Sequence, residues 1–543
     1  MTAAELFVKC LEAEGVDIIF GLPGEENLDL LNALSRSPIR FVSVRHEQGA
    51  AFMADVYGRV TGRAGVCLAT LGPGATNLAT GIADANLDHA PLVAITGQAG
   101  LERVHKESHQ YVNIVEAFGP LTKWNTRVER ASAIPEIVHH AFKTAQAEKP
   151  GACHIELPED VAGEPAEGAP LASRRARRPS PDRPSLRAAA EAIDRARHPI
   201  ILAGNGVIRG RASRELVAFA ERTGIPVANT FMAKGAMPAD HALSLLSIGL
   251  QARDFVSCGF DAADLIVTVG YDQVEYAPYH WNPRGDKAIV HIDFTQAETD
   301  AMYQPEVEIV SDVREALELL CAEVTQAHDR GYPARLRQAI LVDLERGADD
   351  ASVPMKPARV LRDLRRALDR RDVVISDVGA HKLLVARLYP AYEPNTVLIS
   401  NGFAAMGIAL PGAIGAKLAD PSRRVVAVSG DGGFLMNVQE LETAVRLGVA
   451  FVTLVFRDEG YGLIRWKQVQ QFGKPFGIEF GNPDLVKLAE SFGAVGYRVE
   501  KADDLARCLT DALAQRVPTV IDVPIDYHDG IVHPDHGQII CPT

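Results

Sequence analysis

Two acidic turns in the last third of the chain carry the residue types that hold a divalent metal ion. The apolar run 424–429 leads directly into Gly430-Asp431-Gly432-Gly433-Phe434, and a second apolar run leads into Asp458-Glu459-Gly460-Tyr461. If both runs are neighbouring parallel strands, the carboxylates of Asp431 and Asp458 converge on one hard cation such as Mg²⁺. The glycines leave backbone N–H groups open to a diphosphate. An ordinary Gly-Asp-Gly turn is the alternative, but the flanking runs favour a site for Mg²⁺ and a diphosphate.

A second candidate site lies in the first fifty residues. The apolar run 41–44 ends at Arg45-His46-Glu47, and the small residues after Glu47 can open a helix. A glutamate at a strand end stands where the active sites of parallel sheets lie. The alternative is a carboxylate that stabilises a helix N-terminus. The Gly-rich turn 70–77 (TLGPGATN) also leads into a helix, and these residues alone leave both interpretations of Glu47 open.

Alternating strands and helices must position these two sites. Apolar runs such as 66–69 and 92–96 alternate with helical stretches, which is the pattern of a parallel sheet covered by helices on both faces. A chain of 543 residues is too long for one core, and the alternation occurs in three successive segments. We therefore predict an α/β fold with three doubly wound parallel-sheet domains, at residues 1–165, 185–325 and 355–530. The stretch 163–184 is rich in Pro, Ala and charge and is the predicted linker.

Composition narrows the class of protein. The formal net charge of −14 argues against nucleic acid as a partner, and no apolar run reaches the roughly 18 residues that would span a membrane. The seven cysteines are scattered without a Cys-x-x-Cys pair, so we expect neither structural zinc nor a disulfide framework. The first residues are acidic and amphipathic and lack the basic region of a secretory signal. We therefore expect a soluble, cytoplasmic protein.

A glycine turn in the middle segment raises the possibility of a dinucleotide site. Gly204-Asn205-Gly206 follows the apolar run 199–203, with Gly210 four residues further on. No acidic residue ends a following strand at the distance that a dinucleotide-binding fingerprint requires. The turn is therefore interpreted as an ordinary strand-to-helix turn, without NAD.

Motifs from the whole chain carry a resemblance to a known family. The acidic pair resembles the metal and diphosphate motif of thiamine diphosphate (ThDP) enzymes, with Arg457-Asp458 where that motif usually has an Asn-Asn pair. The additional negative charge of an aspartate should tighten Mg²⁺ binding. In the first segment the matching runs are 20–24 (FGLPG), 45–47 (RHE) and 72–77 (GPGATN). The sequence is identified as a member of this superfamily over essentially its full length.

Within the superfamily the likeness is to acetolactate synthase, particularly its catabolic, FAD-free form. The runs that carry this likeness are 108–110 (SHQ), 270–276 (GYDQVEY), 281–282 (WN), 400–402 (SNG), 406–411 (MGIALP) and 439–444 (QELETA). No FAD is expected, because the Arg-Phe-Asp-Asp-Arg stretch of the FAD-bound synthases is replaced here by 271–275 (YDQVE).

The resemblance implies ThDP and Mg²⁺ as cofactors and a role for individual residues. The side chains of Asp431 and Asp458 and the carbonyl of Gly460 are the implied metal ligands. Glu47 is the implied partner of N1′ of the aminopyrimidine, where a carboxylate favours the tautomer that removes the C2 proton of the thiazolium. Met406 is the implied apolar wedge beneath the two rings, with core packing as its alternative. The remaining implied cofactor-binding residues are Gly379, Ala380, His381, Ala404, Gly432, Gly433, Phe434 and Tyr461.

The resemblance also implies the substrate contacts and the reaction. Gln110 matches a glutamine beside the substrate carbonyl. His109 is implied to donate a proton or to position the carboxylate, and an ordinary surface histidine is the alternative. The implied reaction decarboxylates pyruvate and joins the remaining two-carbon unit to a second pyruvate, giving 2-acetolactate. The loop 461–466, with Trp466, departs from the catabolic pattern and permits a decarboxylase or carboligase with a bulkier 2-oxo acid or an aldehyde acceptor.

A catalytically silent regulatory subunit is the third interpretation, and the intact Glu47, Asp431 and Asp458 argue against it. The resemblance implies a homodimer or homotetramer, because in this superfamily the active site lies at a subunit interface. Glu47 of one chain would then face Asp431 of another.

Overall fold

The computed structural model describes residues 1–173, 177–249, 253–527 and 541–542. Within these residues the strands form three parallel sheets of six strands each, with helices on their faces. The predicted α/β fold with three doubly wound sheets is confirmed. Four short 3₁₀ segments occur at Glu25–Asn27, Gly119–Leu121, Ala131–Ala133 and Pro278–His280.

The first sheet has the strand order β2-β1-β3-β4-β6-β5. All residues of its third and fourth strands are buried, as expected for parallel strands covered on both faces. Its strands are β1 (Ile18–Gly21), β2 (Arg40–Ser43), β3 (Gly65–Ala69), β4 (Leu92–Gln98), β5 (Trp124–Arg127) and β6 (Ala152–Pro158). Its helices are α1 (Ala3–Ala13), α2 (Leu28–Leu34), α3 (Glu47–Thr61), α4 (Pro73–Leu87), α5 (Ile114–Phe118), α6 (Ile134–Gln146) and α7 (Glu159–Gly163).

The second sheet has the strand order β12-β11-β10-β7-β8-β9. Its strands are β7 (Pro199–Ala203), β8 (Val227–Asn229), β9 (Ser244–Ser247), β10 (Leu265–Val269), β11 (Ala288–Asp293) and β12 (Val307–Val310). Its helices are α8 (Arg183–Arg195), α9 (Asn205–Arg209), α10 (Ser213–Thr223), α11 (Phe255–Ala262), α12 (Val313–Glu323) and α13 (Gly331–Leu344).

The third sheet has the strand order β14-β13-β15-β16-β18-β17. Its strands are β13 (Val373–Ser376), β14 (Val397–Ile399), β15 (Val425–Gly430), β16 (Val452–Arg457), β17 (Val495–Arg498) and β18 (Thr519–Pro524). Its helices are α14 (Pro357–Ala367), α15 (Ala380–Leu388), α16 (Ala409–Ala419), α17 (Asp431–Met436), α18 (Glu440–Leu447), α19 (Gly462–Phe472), α20 (Leu485–Ser491) and α21 (Asp504–Leu513).

The strands of each sheet fall inside one of the three predicted ranges. Helix α8 begins at Arg183, ahead of the predicted start at 185, and α13 lies wholly beyond 325 while it packs against α11. The limits of the three domains themselves stay a prediction.

The first and third sheets share one strand order, which creates equivalent crevices. In each, the order reverses beside the first strand, between β1 and β3 and between β13 and β15. A ligand-binding crevice forms beyond the carboxyl ends of parallel strands at such a switch point. The Gly-rich turn after β3 and the Asp431 turn after β15 therefore lie at the two edges where ligands are expected.

Helices α3 and α16 pack against each other and join the first sheet to the third. A Cβ at Gly415 would lie 2.4 Å from the carbonyl oxygen of Met53, so this close approach requires glycine. Apolar side chains from both segments form one buried cluster around the two helices. The N-terminal and C-terminal thirds of the chain consequently share a core.

A buried ion cluster also joins these two thirds. Arg59 donates to Asp55 at 2.6 Å, to Asp84 at 3.2 Å and to Asp88 at 3.0 Å, and to the carbonyl oxygen of Ile399 at 3.1 Å. The hydroxyl of Ser400 donates to Asp84 at 2.5 Å. These bonds fix the end of β14 against the helices of the first sheet.

One disulfide bond differs from the sequence-based expectation. Cys258 of α11 is bonded to Cys541, 283 residues away, whereas we expected no disulfide framework. Such a distant pairing leaves no local signal, because it depends on where the fold brings the two cysteines.

None of the helices in the described ranges is both long and apolar enough to cross a membrane.

Candidate functional site

The structure brings the two acidic turns together at the edge of the third sheet. Asp431 follows β15, Asp458 follows β16, and the two strands are paired in parallel. The Oδ2 atom of Asp431 accepts a hydrogen bond from the backbone N–H of Glu459 at 2.8 Å and one from the side-chain amide of Asn482 at 2.8 Å. The second acidic turn is thus bonded directly to the first, as the sequence predicted from the two strand ends.

The electrostatics of this pair suit a cation. Burial raises the pKa of Asp431, and burial together with the neighbouring Asp431 carboxylate raises the pKa of Asp458 to about 7. The guanidinium of Arg465, whose Nη1 atom is 3.4 Å from Asp458, opposes that rise only in part. A divalent cation would offset the remaining repulsion between two buried carboxylates.

The donor set around the pair fits Mg²⁺ only with help from other oxygens. Among the residues that the structure describes, no three His, Cys, Asp or Glu side chains surround a common metal position. A metal ion held by Asp431 and Asp458 would need a backbone carbonyl and ligand oxygens to complete its shell, as Mg²⁺ commonly does with phosphates. Gly460, the predicted carbonyl ligand, lies two residues after Asp458 on the same turn.

Asp377 contacts the turns at this edge of the third sheet, and the sequence analysis did not identify it. Its carboxylate accepts the backbone N–H groups of Gly407 at 2.8 Å and of Ala409 at 3.2 Å. A Cβ at Gly433 would lie 2.8 Å from its Oδ1 atom. A single buried carboxylate therefore holds the turn that contains Met406 beside the strand end before Gly379, and the Gly-Asp-Gly-Gly turn packs closely against it.

His381 lies against the same turn. The side chain is buried and packs beside Gly430, where a Cβ would lie 3.2 Å from the ring. Burial lowers the pKa of His381 to about 4, so the ring is neutral near pH 7. Its Nε2 atom is buried and has no hydrogen-bond partner in the described part of the chain. Such a nitrogen can donate to an oxygen of a bound ligand.

The remaining predicted cofactor residues surround these turns. Ala404 has a left-handed backbone with φ of 57°, which is strained for a residue with a Cβ, and Met406 is half-buried two residues later. A Cβ at Gly432 would lie 3.1 Å from the ring of Tyr461. Phe434 is buried. Gly379 caps the start of α15, whose first residue, Ala380, is buried.

Glu47 belongs to a second group of residues, which lies at the edge of the first sheet. It is the first residue of α3 and is only 5% exposed. Its Oε2 atom accepts a hydrogen bond from the side-chain amide of Asn77 at 3.0 Å, and a Cβ at Gly74 would lie 3.3 Å from its Oε1 atom. The structure thus brings together Glu47 and the Gly-rich turn 70–77.

Gln110 reaches the same turn from a different loop. A Cβ at Gly72 would lie 2.4 Å from the carbonyl oxygen of Gln110, whose own φ is 57°. His109 and Gln110 are exposed. The predicted substrate residue Gln110 therefore lies beside the turn that contacts Glu47, while the role of each of these residues stays a prediction.

A cavity of about 300 Å³ lies between the second and third segments of the chain, beside the turns at Gly379 and Ala404. Gly379 and Ala404 line it from the third segment, and Tyr276 and His280 line it from the second. Helix α19 reaches the cavity through Leu463, while Trp466 of the same helix packs against the core of the third segment. The sequence analysis named Trp466 in this region, and it did not identify Leu463.

Lys382 is a lysine that lines this cavity, and the sequence analysis did not identify it either. It lines the cavity and donates to the carbonyl oxygen of Ser400 at 3.1 Å. Burial lowers the pKa of Lys382, and the carboxylates of Asp88 and Asp84 oppose that shift. A partly buried ammonium beside the cofactor turns can bind the carboxylate of a small acid.

The second segment contributes a buried carboxyl group to the same cavity. Glu275 lines it, and burial raises the pKa of Glu275 to about 8. Its Oε1 atom accepts the backbone N–H of Asn205 at 2.9 Å. Asn205 belongs to the glycine turn after β7, so this turn is bonded to a carboxyl group of its own chain.

The structure has two sheet edges at switch points. One edge carries glycine turns and an acidic pair suited to a metal ion, and the other carries a buried glutamate. This arrangement is the architecture of ThDP-dependent enzymes. Three family models agree with that class. They describe the N-terminal TPP binding domain, the central domain and the C-terminal TPP binding domain of thiamine pyrophosphate enzymes, and they match residues 1–117, 186–320 and 377–523. The chain belongs to the thiamine pyrophosphate enzyme family, and thiamine pyrophosphate is the same compound as ThDP.

Curated relatives cover almost the whole chain. The acetolactate synthase of Bacillus subtilis (strain 168) is 37% identical over 97% of this chain and 94% of its own length. The catabolic acetolactate synthase of Raoultella terrigena is 37% identical over 97% of this chain and 95% of its own length. The acetolactate synthase isozyme 1 large subunit of Escherichia coli (strain K12) is 33% identical over 98% and 95%. The predicted family resemblance is confirmed.

Proposed function

We propose that the protein is an acetolactate synthase that converts two molecules of pyruvate into 2-acetolactate and CO₂. The observation that carries this proposal is the position of Lys382, an ammonium in a cavity whose walls include the cofactor turns at Gly379 and Ala404. A small acid held there by its carboxylate would have its carbonyl group near the cofactor. The similarity to acetolactate synthases over the full chain supports the same reaction.

ThDP is the cofactor of the family and Mg²⁺ is the metal that we propose for it. Bound ThDP supplies a nucleophilic carbon that attacks a 2-oxo acid and then stabilises the electron pair left when CO₂ departs. Asp431, Asp458 and the carbonyl of Gly460 would hold the metal. The proposed diphosphate contacts are Gly379, Ala380, His381, Gly432, Gly433, Phe434 and Tyr461, with Ala404 and Met406 beside the rings.

Three side chains of the first segment would carry the remaining chemistry. Glu47 would share a proton with N1′ of the aminopyrimidine, and its burial supports this role, because a buried carboxyl group holds such a proton in a fixed position. Gln110 would donate a hydrogen bond to the substrate carbonyl, and His109 would position its carboxylate or donate a proton. The position of Gln110 against the turn at Gly72 supports its place near Glu47.

No flavin is expected to take part. A dinucleotide bound to a sheet of this type places its pyrophosphate at the N-terminus of the helix after the first strand. In this chain Glu275 accepts the N–H of Asn205 at that place, which supports a middle domain without FAD. The homodimer or homotetramer, with Glu47 of one chain facing Asp431 of another, and the cytoplasmic location remain parts of this proposal.

The second candidate function is decarboxylation or carboligation of a bulkier 2-oxo acid or an aldehyde. The contact of α19 with the cavity through Leu463 favours it, because this helix follows the loop that departs from the catabolic pattern. Values of kcat/KM for pyruvate and for benzoylformate, each measured with and without ThDP and Mg²⁺, distinguish the two. We expect pyruvate to be preferred, and a preference for benzoylformate would support the second candidate.

A further inference from the structure

Glu440 is a buried carboxyl group that connects the third segment to the strand end before Glu47. It is the first residue of α18 and has no measurable exposure. Its Oε1 atom accepts the backbone N–H of Arg45 at 3.1 Å and that of His46 at 3.0 Å. Its Oε2 atom accepts the hydroxyl of Thr443 at 2.7 Å. Glu440 therefore satisfies two consecutive backbone donors at the start of α3.

Glu440 and its neighbour in sequence Asn437 also contact the residues that follow Glu47. A Cβ at Gly49 would lie 2.8 Å from Oε1 of Glu440. The side-chain amide of Asn437 donates to the side chain of Gln48 at 3.1 Å and to the carbonyl oxygen of Gly407 at 2.9 Å. Residues 437–440 thus contact the chain both before and after Glu47, without using Glu47 itself.

The arrangement suits a positioning function for physical reasons. The first turn of a helix has backbone N–H groups without partners inside the helix, and a carboxylate near that end is stabilised by the helix dipole. His46 caps α3 with its own ring, which accepts the N–H of Gln48, and Glu440 takes the two donors that precede it. Removing Glu440 would leave these donors without their partner at a domain junction.

We propose that Glu440 is a positioning residue for Glu47, holding residues 45–49 so that the Glu47 carboxylate stays directed at Gly74 and Asn77. The inference rests on the proposed function in one respect, namely that Glu47 acts on the cofactor. Only about ten consecutive residues run from Asp431 to Glu440, so the turn that carries the proposed metal ligand Asp431 is connected through them to the turn that carries Glu47.

The test compares Glu440→Ala, Glu440→Gln and the control Glu490→Gln, an exposed residue of α20 in the same segment. The first measurement is amide hydrogen exchange of the full-length protein without cofactor, followed in peptides that cover residues 45–49. We expect exchange at Arg45 and His46 to be at least about tenfold faster in Glu440→Ala, and unchanged in the control. Unchanged exchange in Glu440→Ala would overturn the proposal.

The second measurement, of kcat, KM and ThDP affinity, distinguishes a positioning role from a general loss of structure. We expect Glu440→Ala to lower kcat at least about tenfold while ThDP affinity and the KM for pyruvate change less than about threefold. Glu440→Gln keeps one acceptor oxygen and should recover most of that loss. An equal loss of ThDP affinity and kcat would overturn the proposal in favour of a purely structural residue.

Two further outcomes distinguish the positioning role of Glu440 from the proposed role of Glu47. If Glu440→Ala does not fold, Glu440→Asp decides, because its carboxylate is one methylene shorter and is withdrawn from the N–H groups of Arg45 and His46; wild-type exchange together with wild-type kcat in that variant would overturn the positioning role. If Glu47→Gln remains fully active, the proposed role of Glu47 fails, whereas faster exchange at residues 45 and 46 in Glu440→Ala would still show that Glu440 holds this turn.

Discussion

The carboxylate of Glu440 lies 3.0 Å from the backbone nitrogen of His46, although the two residues are 394 positions apart in the sequence. His46 immediately precedes Glu47, and Glu440 follows the turn that carries Asp431. Because the first and third segments of the chain meet here, the orientation of the residue that we propose to act on the aminopyrimidine depends on the segment that we propose to bind the diphosphate.

Stability should depend on pH through Glu440. Burial raises its pKa from an ordinary 4.5 to about 7, against the favourable bonds from Thr443, Arg45 and His46 and with a smaller repulsion from Glu442. Between these two values the folded protein binds more protons than the unfolded chain, so the stabilising contribution is complete below pH 4.5 and is lost as the pH rises through 7. Glu440→Gln cannot titrate.

The wild type should therefore lose stability relative to Glu440→Gln between pH 5 and pH 8, by on the order of 1–3 kcal/mol. Thermal unfolding of both proteins without cofactor, at the two pH values, measures this difference. An identical gap between the proteins at pH 5 and pH 8 would contradict the raised pKa.

Glu47→Gln should abolish turnover while leaving ThDP binding largely intact. In the proposed site the metal and the diphosphate turns would supply most of the anchoring, whereas Glu47 would act on a proton of the pyrimidine, and loss of such a group lowers kcat by about 100-fold or more. Steady-state rates and a cofactor titration check this, with Glu102→Gln, an exposed residue, as the control. Near-normal activity in Glu47→Gln would remove Glu47 from the mechanism.

Asp431→Ala should lose the metal and the cofactor together. Its carboxylate lies beside Asp458 at the proposed metal site and also accepts the N–H of Glu459, and Mg²⁺ would connect the diphosphate to the protein. ThDP content after dialysis against a chelator, followed by readdition of Mg²⁺, measures the effect. The exposed Asp511 gives the control Asp511→Ala, and retention of ThDP by Asp431→Ala would show that the metal assignment is wrong.

Gln110→Ala should lower the formation of 2-acetolactate at least about tenfold, or roughly 1.4 kcal/mol in activation free energy. A group that donates to the reacting carbonyl discriminates more strongly than a wall that only excludes volume. His105→Ala, on the same exposed loop, is the matched control. If Gln110→Ala kept its rate while a substitution of Leu463 changed substrate preference, specificity would lie with α19.

The sequence predicted the elements that depend on local patterns. Asp431, Asp458 and Glu47 each follow an apolar run, and parallel strands bring such ends to one edge, so their positions could be inferred without coordinates. Asp377, Lys382 and Glu440 could not be inferred in this way. Each acts through partners far away in the sequence, and their positions depend on strand order and on the packing of α3 against α16. The bond between Cys258 and Cys541 was missed for the same reason.

The decisive experiment on the proposed reaction is to identify the product that the protein forms from pyruvate. Purified protein with ThDP and Mg²⁺ would be given pyruvate labelled with ¹³C at every carbon, and the products would be identified by NMR spectroscopy without any separation step. We expect 2-acetolactate and CO₂ in equal amounts, with no reaction when ThDP is omitted. Acetaldehyde as the only organic product would contradict it and would assign the protein to the decarboxylases.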